Sequence, residues 1–202
     1  MALELPNAAV TACGKKLGLY RQGTLVFRDQ DEVPVLYDYA LNHFRRGGKN
    51  AFERYRLLSP PPSGSIESEV LESTLSAYYS VFMVTERHDG SGVTLHDVLR
   101  DVPILVMDIG LGQTAPPGQF VAGHMLPMAA FGMFSGAAIP LSESLFENLV
   151  APILRKFLKH AKAEASGRLF SPSQEAAFAA QVIRATLQAG ALERQRDIDM
   201  RE

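Results

Sequence analysis

The chain reads as an α+β protein with N-terminal helices, a central small antiparallel sheet or barrel of about five strands, and two C-terminal helices. Three observations carry this. Apolar residues recur at three- and four-residue steps through the first third and again after Ser144. Between Ser80 and Leu141 the texture changes to short apolar runs cut by turn residues, the pattern of a small β-module. With 202 residues and 47% apolar side chains, the chain can also bury a core without metal or disulfide.

In the first third, Cys13 is expected as a small buried hydrophobe in a helix. The clearest helix follows "DQDEVPVLYDYALNHFRRGG", where Val33, Leu36, Tyr37, Ala40, Leu41 and Phe44 make one apolar face. Asp29 and Glu32 have N-terminal cap spacing, and Gly47-Gly48 closes the far end. A second helix starts at Asn50, with Glu53 placed to reach back and Phe52 and Tyr55 turned inward. "SPPPSGS" at 59–65 breaks the chain, since three prolines cannot continue a helix. Ile66, Val70, Leu71, Leu75, Tyr78 and Tyr79 mark a further helix, with Glu67 and Glu69 in its first turn, where the dipole favours anions.

"VFMVTER", the turn "HDGSG", "VTLHDVL", "PILVMDI", "QFVAGHML" and "AFGMFSGAAIPL" supply the strands. From Phe120 to Leu141 there is no Asp, Glu, Lys or Arg, a length that could cross a bilayer. Its prolines and glycines and the absence of flanking basic residues favour buried strands. After Leu141, Ser144 with Glu147 has capping-box spacing, and the apolar stripe beyond it contains Pro152, which should kink or split the helix; Gly167 ends it. The last helix has Ser171 as cap, Pro172 at its first position, Gln174 at its third and Gly190 as its stop. The charged tail "LERQRDIDMRE" is expected to fray. This divides the chain into a helical segment 1–65, a helix plus β-module 66–141 and a helical segment with tail 142–202, expected to form one compact domain.

Twenty basic and twenty-two acidic residues are unevenly placed. Residues 1–56 carry nine basic and six acidic side chains, residues 57–141 two and eight, and residues 142–202 nine and eight. An acidic centre argues against a phosphate-binding surface there. Cys13 is the only cysteine, which excludes an intramolecular disulfide and a cysteine zinc cluster and fits a reducing compartment. The N-terminal residues show no secretory signal pattern, so a cytoplasmic protein is expected.

The stretch "ILVMDIGLGQTAPPG" invites a nucleotide reading, because Gly110, Gly112 and Ala115 match G-x-G-x-x-A. That turn must open a helix whose amides hold a pyrophosphate, and Pro116-Pro117-Gly118 stands in its way. Glycine-rich loops of Rossmann-like methyltransferases and of actin-like ATPases look similar but need more chain around them. No acidic residue for a ribose occurs between Asp108 and Glu143. The structural reading makes 113–120 a hairpin corner, lets the glycines leave the strand at positive φ and has Asp108 cap local amides.

Elsewhere, His88-Asp89 resembles the dipeptide of metal-dependent phosphohydrolases but lies in a turn, and adjacent His96 and Asp97 point to opposite faces of a strand. His124, alone in the charge-free segment, reads as a hydrogen-bonded core histidine that could titrate or ligate. Ser135 in "GMFSG" has the wrong spacing for a nucleophile elbow. Arg45, Arg46, Lys49, Arg54 and Arg56 cluster around the Gly-Gly turn, where they could meet phosphates or an acidic partner, or simply answer a helix C-terminal dipole.

"GTLVF", "VTLHDVL", "LVMDIGLGQTA", "PGQFVAGHMLP" and "SGAAIPL" together resemble a group of uncharacterised bacterial proteins in which a small β-module sits among helices. Some of those chains carry a cysteine-rich SEC-C zinc segment, which is absent here, so the resemblance implies a fold and no catalytic residue. The expectation is a non-catalytic binding or regulatory module, with no cofactor, metal or membrane, whose partner is an unknown protein or acidic surface and whose last helices suit a homo-oligomer interface. Two alternatives stand beside it. One is a nucleotide- or S-adenosylmethionine-dependent enzyme using Asp108, Gly110 and Gly112; the other is nucleic-acid association through Arg45 to Arg56.

Overall fold

The computed structural model describes residues 5–88, 90–159 and 169–193. Asp89, His160, Gly167 and the tail from residue 194 therefore lie outside the described residues.

The opening helix α1 (Asn7–Leu17) buries Ala9, Val10, Cys13 and Leu17, as the sequence leads one to expect for Cys13. A short hairpin follows, β1 (Tyr20–Arg21) and β2 (Thr24–Leu25), in a region whose periodicity reads as helical throughout. Next comes α2 (Glu32–His43), and here the buried face is rotated from the expected one. Val35, Leu36, Asp38, Tyr39 and Ala40 are buried, while Tyr37 is 46% exposed. The helix ends at Phe44 in extended geometry, ahead of Gly47-Gly48, which instead shape an Arg46–Lys49 turn. In α3 (Ala51–Leu58) the Asn50/Glu53 capping box is present as expected. Then α4 (Ile66–Leu75) stops short of Tyr78 and Tyr79, which belong to a strand.

The β-module is a six-stranded sheet of β3 (Tyr78–His88), β4 (Gly92–Asp97), β5 (Val102–Val106), β6 (Phe120–Pro127), β7 (Gly132–Phe134) and β8 (Ile139–Leu141), in the order β3-β4-β5-β7-β6-β8. An additional β3–β6 pairing closes five of these strands into a barrel and leaves β8 as a flap on β6. The barrel is mixed, because β5 and β7 run parallel, where a purely antiparallel module was expected. Phe82, Val84, Val93, Leu95, Val106, Ala115 and Met125 fill its interior. Gly132 has no room for a side chain, since a Cβ there would lie 2.5 Å from the Met125 sulfur. The charge-free segment is thus β6, β7 and β8, and among the described residues no helix is long and apolar enough to cross a membrane.

Alternation along β3 and β6 sends Tyr79, Val81, Phe120, Ala122 and His124 to the outer face, where α1, α2 and the C-terminal helices cover them in one continuous core. The C-terminal segment begins at α6 (Glu143–Leu145), capped by Ser142 rather than by Ser144. A π-helical turn, Phe146–Val150, then runs into α7 (Ala151–Leu158). Pro152 explains the split: it donates no N–H and its ring crowds the carbonyl four residues back, so the preceding turn widens. Phe146 stacks on Phe120 at 3.8 Å. The final helix α8 (Pro172–Gln188) has the expected Ser171/Gln174 capping box and lies against α1, α2 and β3.

Burial pushes the Cys13 thiol up to about 11, with Lys16 opposing. At about pH 8 only ~0.1% of such a thiol is thiolate. Iodoacetamide should therefore leave the native chain unmodified near that pH and add a single adduct once guanidinium unfolds it; rapid native labelling would contradict this burial.

Candidate functional site

The β3–β6 register pairs Tyr79 with His124 on the helix-facing side of the sheet. Their rings meet edge to face at 5.0 Å. An imidazole in that position is 1% exposed, so both its nitrogens need partners from the helices above. Asp38 and His43, on the inner face of α2, provide them. His124 Nδ1 lies 2.5 Å from Asp38 Oδ2, and His124 Nε2 lies 2.9 Å from His43 Nε2. Asn42 donates to the other Asp38 oxygen at 3.2 Å and to the Asp38 carbonyl at 3.0 Å, fixing the carboxylate.

The tautomers follow from this chain of contacts. An ionised Asp38 can only accept, so His124 carries its proton on Nδ1 and presents Nε2 to His43. Burial first, then His124, Arg45 and Lys16, hold the His43 imidazole well below the usual histidine range. A single proton between the two Nε2 atoms satisfies both rings. From the third side comes Glu175, in the first turn of α8, whose Oε1 accepts the Tyr79 backbone N–H at 3.0 Å. Among the described residues the buried Tyr79 hydroxyl has no hydrogen-bond partner, and burial followed by the Asp38 charge pushes its phenol above the usual range.

Two spaces open onto this cluster. On the Asp38 side a groove of about 310 Å³ runs between α2, Phe52 and the barrel rim at Leu126 and Ala137. On the His43 side is a small polar space of about 20 Å³, with Glu175, Asn42 and Asn50 in its walls.

The residues singled out from sequence fall elsewhere, His124 excepted. Asp108 accepts the Leu111 N–H at 2.9 Å, the local cap expected of it. It opens α5 (Ile109–Thr114), so the stretch is a short helix followed by a turn, where a hairpin corner over 113–120 was expected. Gly110 and Gly112 lie inside that helix and neither has positive φ; Gly118 does. The reason for Gly112 is steric, as a Cβ there would meet Gly92 backbone atoms at 3.1 Å. Asp108 and its glycines thus place a carboxylate, not an open row of amides, at the start of the helix.

Among the basic residues, Arg45 binds Glu53 at 2.8 Å and the Gly48 carbonyl, and Arg54 donates to the Lys49 carbonyl. Arg56 lies 3.6 Å from Glu72, and the backbones of Arg46 and Lys49 pair across the turn. His88 bonds Thr94 and His96 pairs with Asp101, while Asp97 turns inward to Ser80 and Arg100, on the opposite face from His96. None of these residues bonds a member of the cluster, and Arg45 lines the polar space beside His43.

Asp38, His43 and Glu175 escaped the sequence reading because an apolar face drawn through Val33, Tyr37 and Leu41 puts Asp38 toward solvent. One signal was present: a lone histidine in a twenty-two-residue charge-free segment must be matched by a polar group elsewhere, and Asp38 and Asn42, four residues apart, share one side of a mostly apolar helix that ends in His43.

A family model described as a family of unknown function (DUF7986) matches residues 4–170, and the chain belongs to that family. The match includes Asp38, His43 and His124 and stops just before α8. No curated protein and no solved structure matches the chain.

Removing one member of the buried Asp38–His124 pair should cost about 3–5 kcal/mol, because the other is left unpaired. Asp38→Ala with His124→Ala should therefore lose clearly less than the sum of the single losses in denaturant melts; additive losses would mean that the pair is not coupled. In α5, Gly110→Ala should be neutral or stabilise by up to about 1 kcal/mol, since Ala is the better helix former. Gly112→Ala should destabilise, and equal effects at the two positions would rule out the close approach to Gly92.

Proposed function

We propose that the protein is a non-catalytic binding module of the cytoplasm that takes a small, largely apolar ligand in the groove beside α2. One observation carries this reading. The groove measures about 310 Å³, at the lower end of ligand-sized sites, and pairs apolar walls with a buried carboxylate at its floor. Tyr37, Leu41, Phe52 and Leu126 supply the walls; Asp38, Asn42 and Ser135 supply the polar groups that would orient a bound amine or hydroxyl. The imidazoles of His43 and His124 are not among the lining residues, so the groove offers recognition and keeps the histidines behind it. The buried free thiol of Cys13 supports a reducing compartment, and the acidic balance of residues 57–141 supports a partner other than nucleic acid.

Thermal shift with a panel of small aromatic and aliphatic amines and alcohols tests this. A ligand at about 100 times its Kd stabilises the fold by about 2.7 kcal/mol. For a chain of this size that is a rise in Tm of about 5 °C or more. Ser135→Trp, at an exposed rim position, should leave the unliganded Tm unchanged and abolish the rise. Silence across the panel, or an equal rise in Ser135→Trp, would defeat the groove as the binding site.

A further inference from the structure

We propose that His43, His124 and Glu175 form a three-ligand site for a first-row divalent transition metal, with Asp38 as the outer carboxylate and a water in the open position. This goes beyond the groove reading and does not rest on it. One ring nitrogen from each of His43 and His124 and a carboxylate oxygen of Glu175 lie within 4.8 Å of one another. They come from α2, β6 and α8, so the site exists only once the helices have docked on the barrel.

The two histidine nitrogens have the spacing of metal ligands as well as that of a shared proton. Metal–nitrogen bonds of about 2.0–2.1 Å place two ligand nitrogens ~2.9–3.4 Å apart, from octahedral to tetrahedral angles. The histidine nitrogens stand 2.9 Å apart with lone-pair positions turned toward each other, an arrangement that otherwise needs one shared proton. Asp38 accepts a hydrogen bond from the His124 Nδ1–H and so leaves the Nε2 lone pair facing His43, as outer carboxylates do for metal-bound histidines. Glu175 is held by the Tyr79 N–H through one oxygen. Beside His43 and Glu175 the polar space of about 20 Å³ has room for about one water and gives the ion a way in. Nitrogen and carboxylate donors in this ratio take zinc, iron, cobalt or manganese in preference to calcium.

The test uses the full chain, chelator-treated and then titrated with Zn²⁺ against a chromophoric chelator and, separately, with Co²⁺ followed by visible absorption. One ion per chain at micromolar Kd or tighter, with a cobalt band of low coordination number, is expected. Asp38→Asn should weaken binding by about 10–100-fold, the usual loss of an outer partner. His43→Gln and Glu175→Gln should weaken it further, and His88→Gln with His96→Gln should change nothing. Should the buried His124→Gln fail to fold, the wild-type cobalt spectrum and His43→Gln, at a half-buried position, decide the question. No stoichiometric binding by the wild-type chain overturns the proposal, as does binding indifferent to His43→Gln or dependent on His88 and His96. Full retention in Glu175→Gln overturns the three-ligand set.

Discussion

A carboxylate on a helix and an imidazole on a barrel strand, 2.5 Å apart in a mostly apolar layer, fix how the two halves of this protein meet. Burying either group alone would cost several kcal/mol, and the cost is recovered only when the other arrives with good geometry. That requirement sets the rotation of α2 about its own axis. With Asp38 turned in, Val35, Leu36, Tyr39 and Ala40 follow it into the core, and Tyr37 is left to solvent. The Tyr39 hydroxyl then reaches the Ala176 carbonyl of α8, so the same rotation also docks the last helix.

The barrel makes this possible by using both faces of β3 and β6. Tyr78, Ser80, Phe82 and Val84 alternate with Tyr79, Val81 and Met83, so one set packs the barrel interior or closes its end and the other meets the helices. The inner end is sealed by Asp97, fully buried, which accepts from Ser80, from the amides of Leu99 and Arg100 and from the Arg100 guanidinium. Arg100 in turn lies 3.6 Å over the Tyr78 ring. A polar cluster thus sits on each side of β3, each built with partners from a different part of the chain, and a slip of one residue in β3 would exchange the two faces and disrupt both.

The glycine-rich stretch and the basic turn share a lesson about short motifs. In each, the eye-catching polar residues are engaged nearby in the chain: Asp108 caps its own helix and Arg45 closes on Glu53, while Gly112 lets that helix lie against Gly92. Spacing alone cannot separate a group that is locally occupied from one left available. The cluster at His124 shows the opposite pattern, since its members are separated by up to 137 residues and none belongs to a recognisable motif.

Local signals were legible wherever the physics is local. The Asn50/Glu53 and Ser171/Gln174 caps, the proline break at 59–65, the split before Pro152 and the strand character of the charge-free segment all follow from bonds and clashes within a few residues. Apart from the short β1–β2 hairpin, errors arose where a neighbour far along the chain decides: the passage of Tyr78 and Tyr79 from helix to strand, the parallel β5–β7 pair and the buried face of α2. The amino-acid sequence by itself determined the α+β composition, the order of most elements and the presence of one histidine that had to find a buried partner. Only the tertiary structure chose Asp38, His43 and Glu175 as its neighbours, because helical periodicity leaves the rotation of a helix free by a residue or so, and that freedom is removed only when a specific buried charge is matched across the interface.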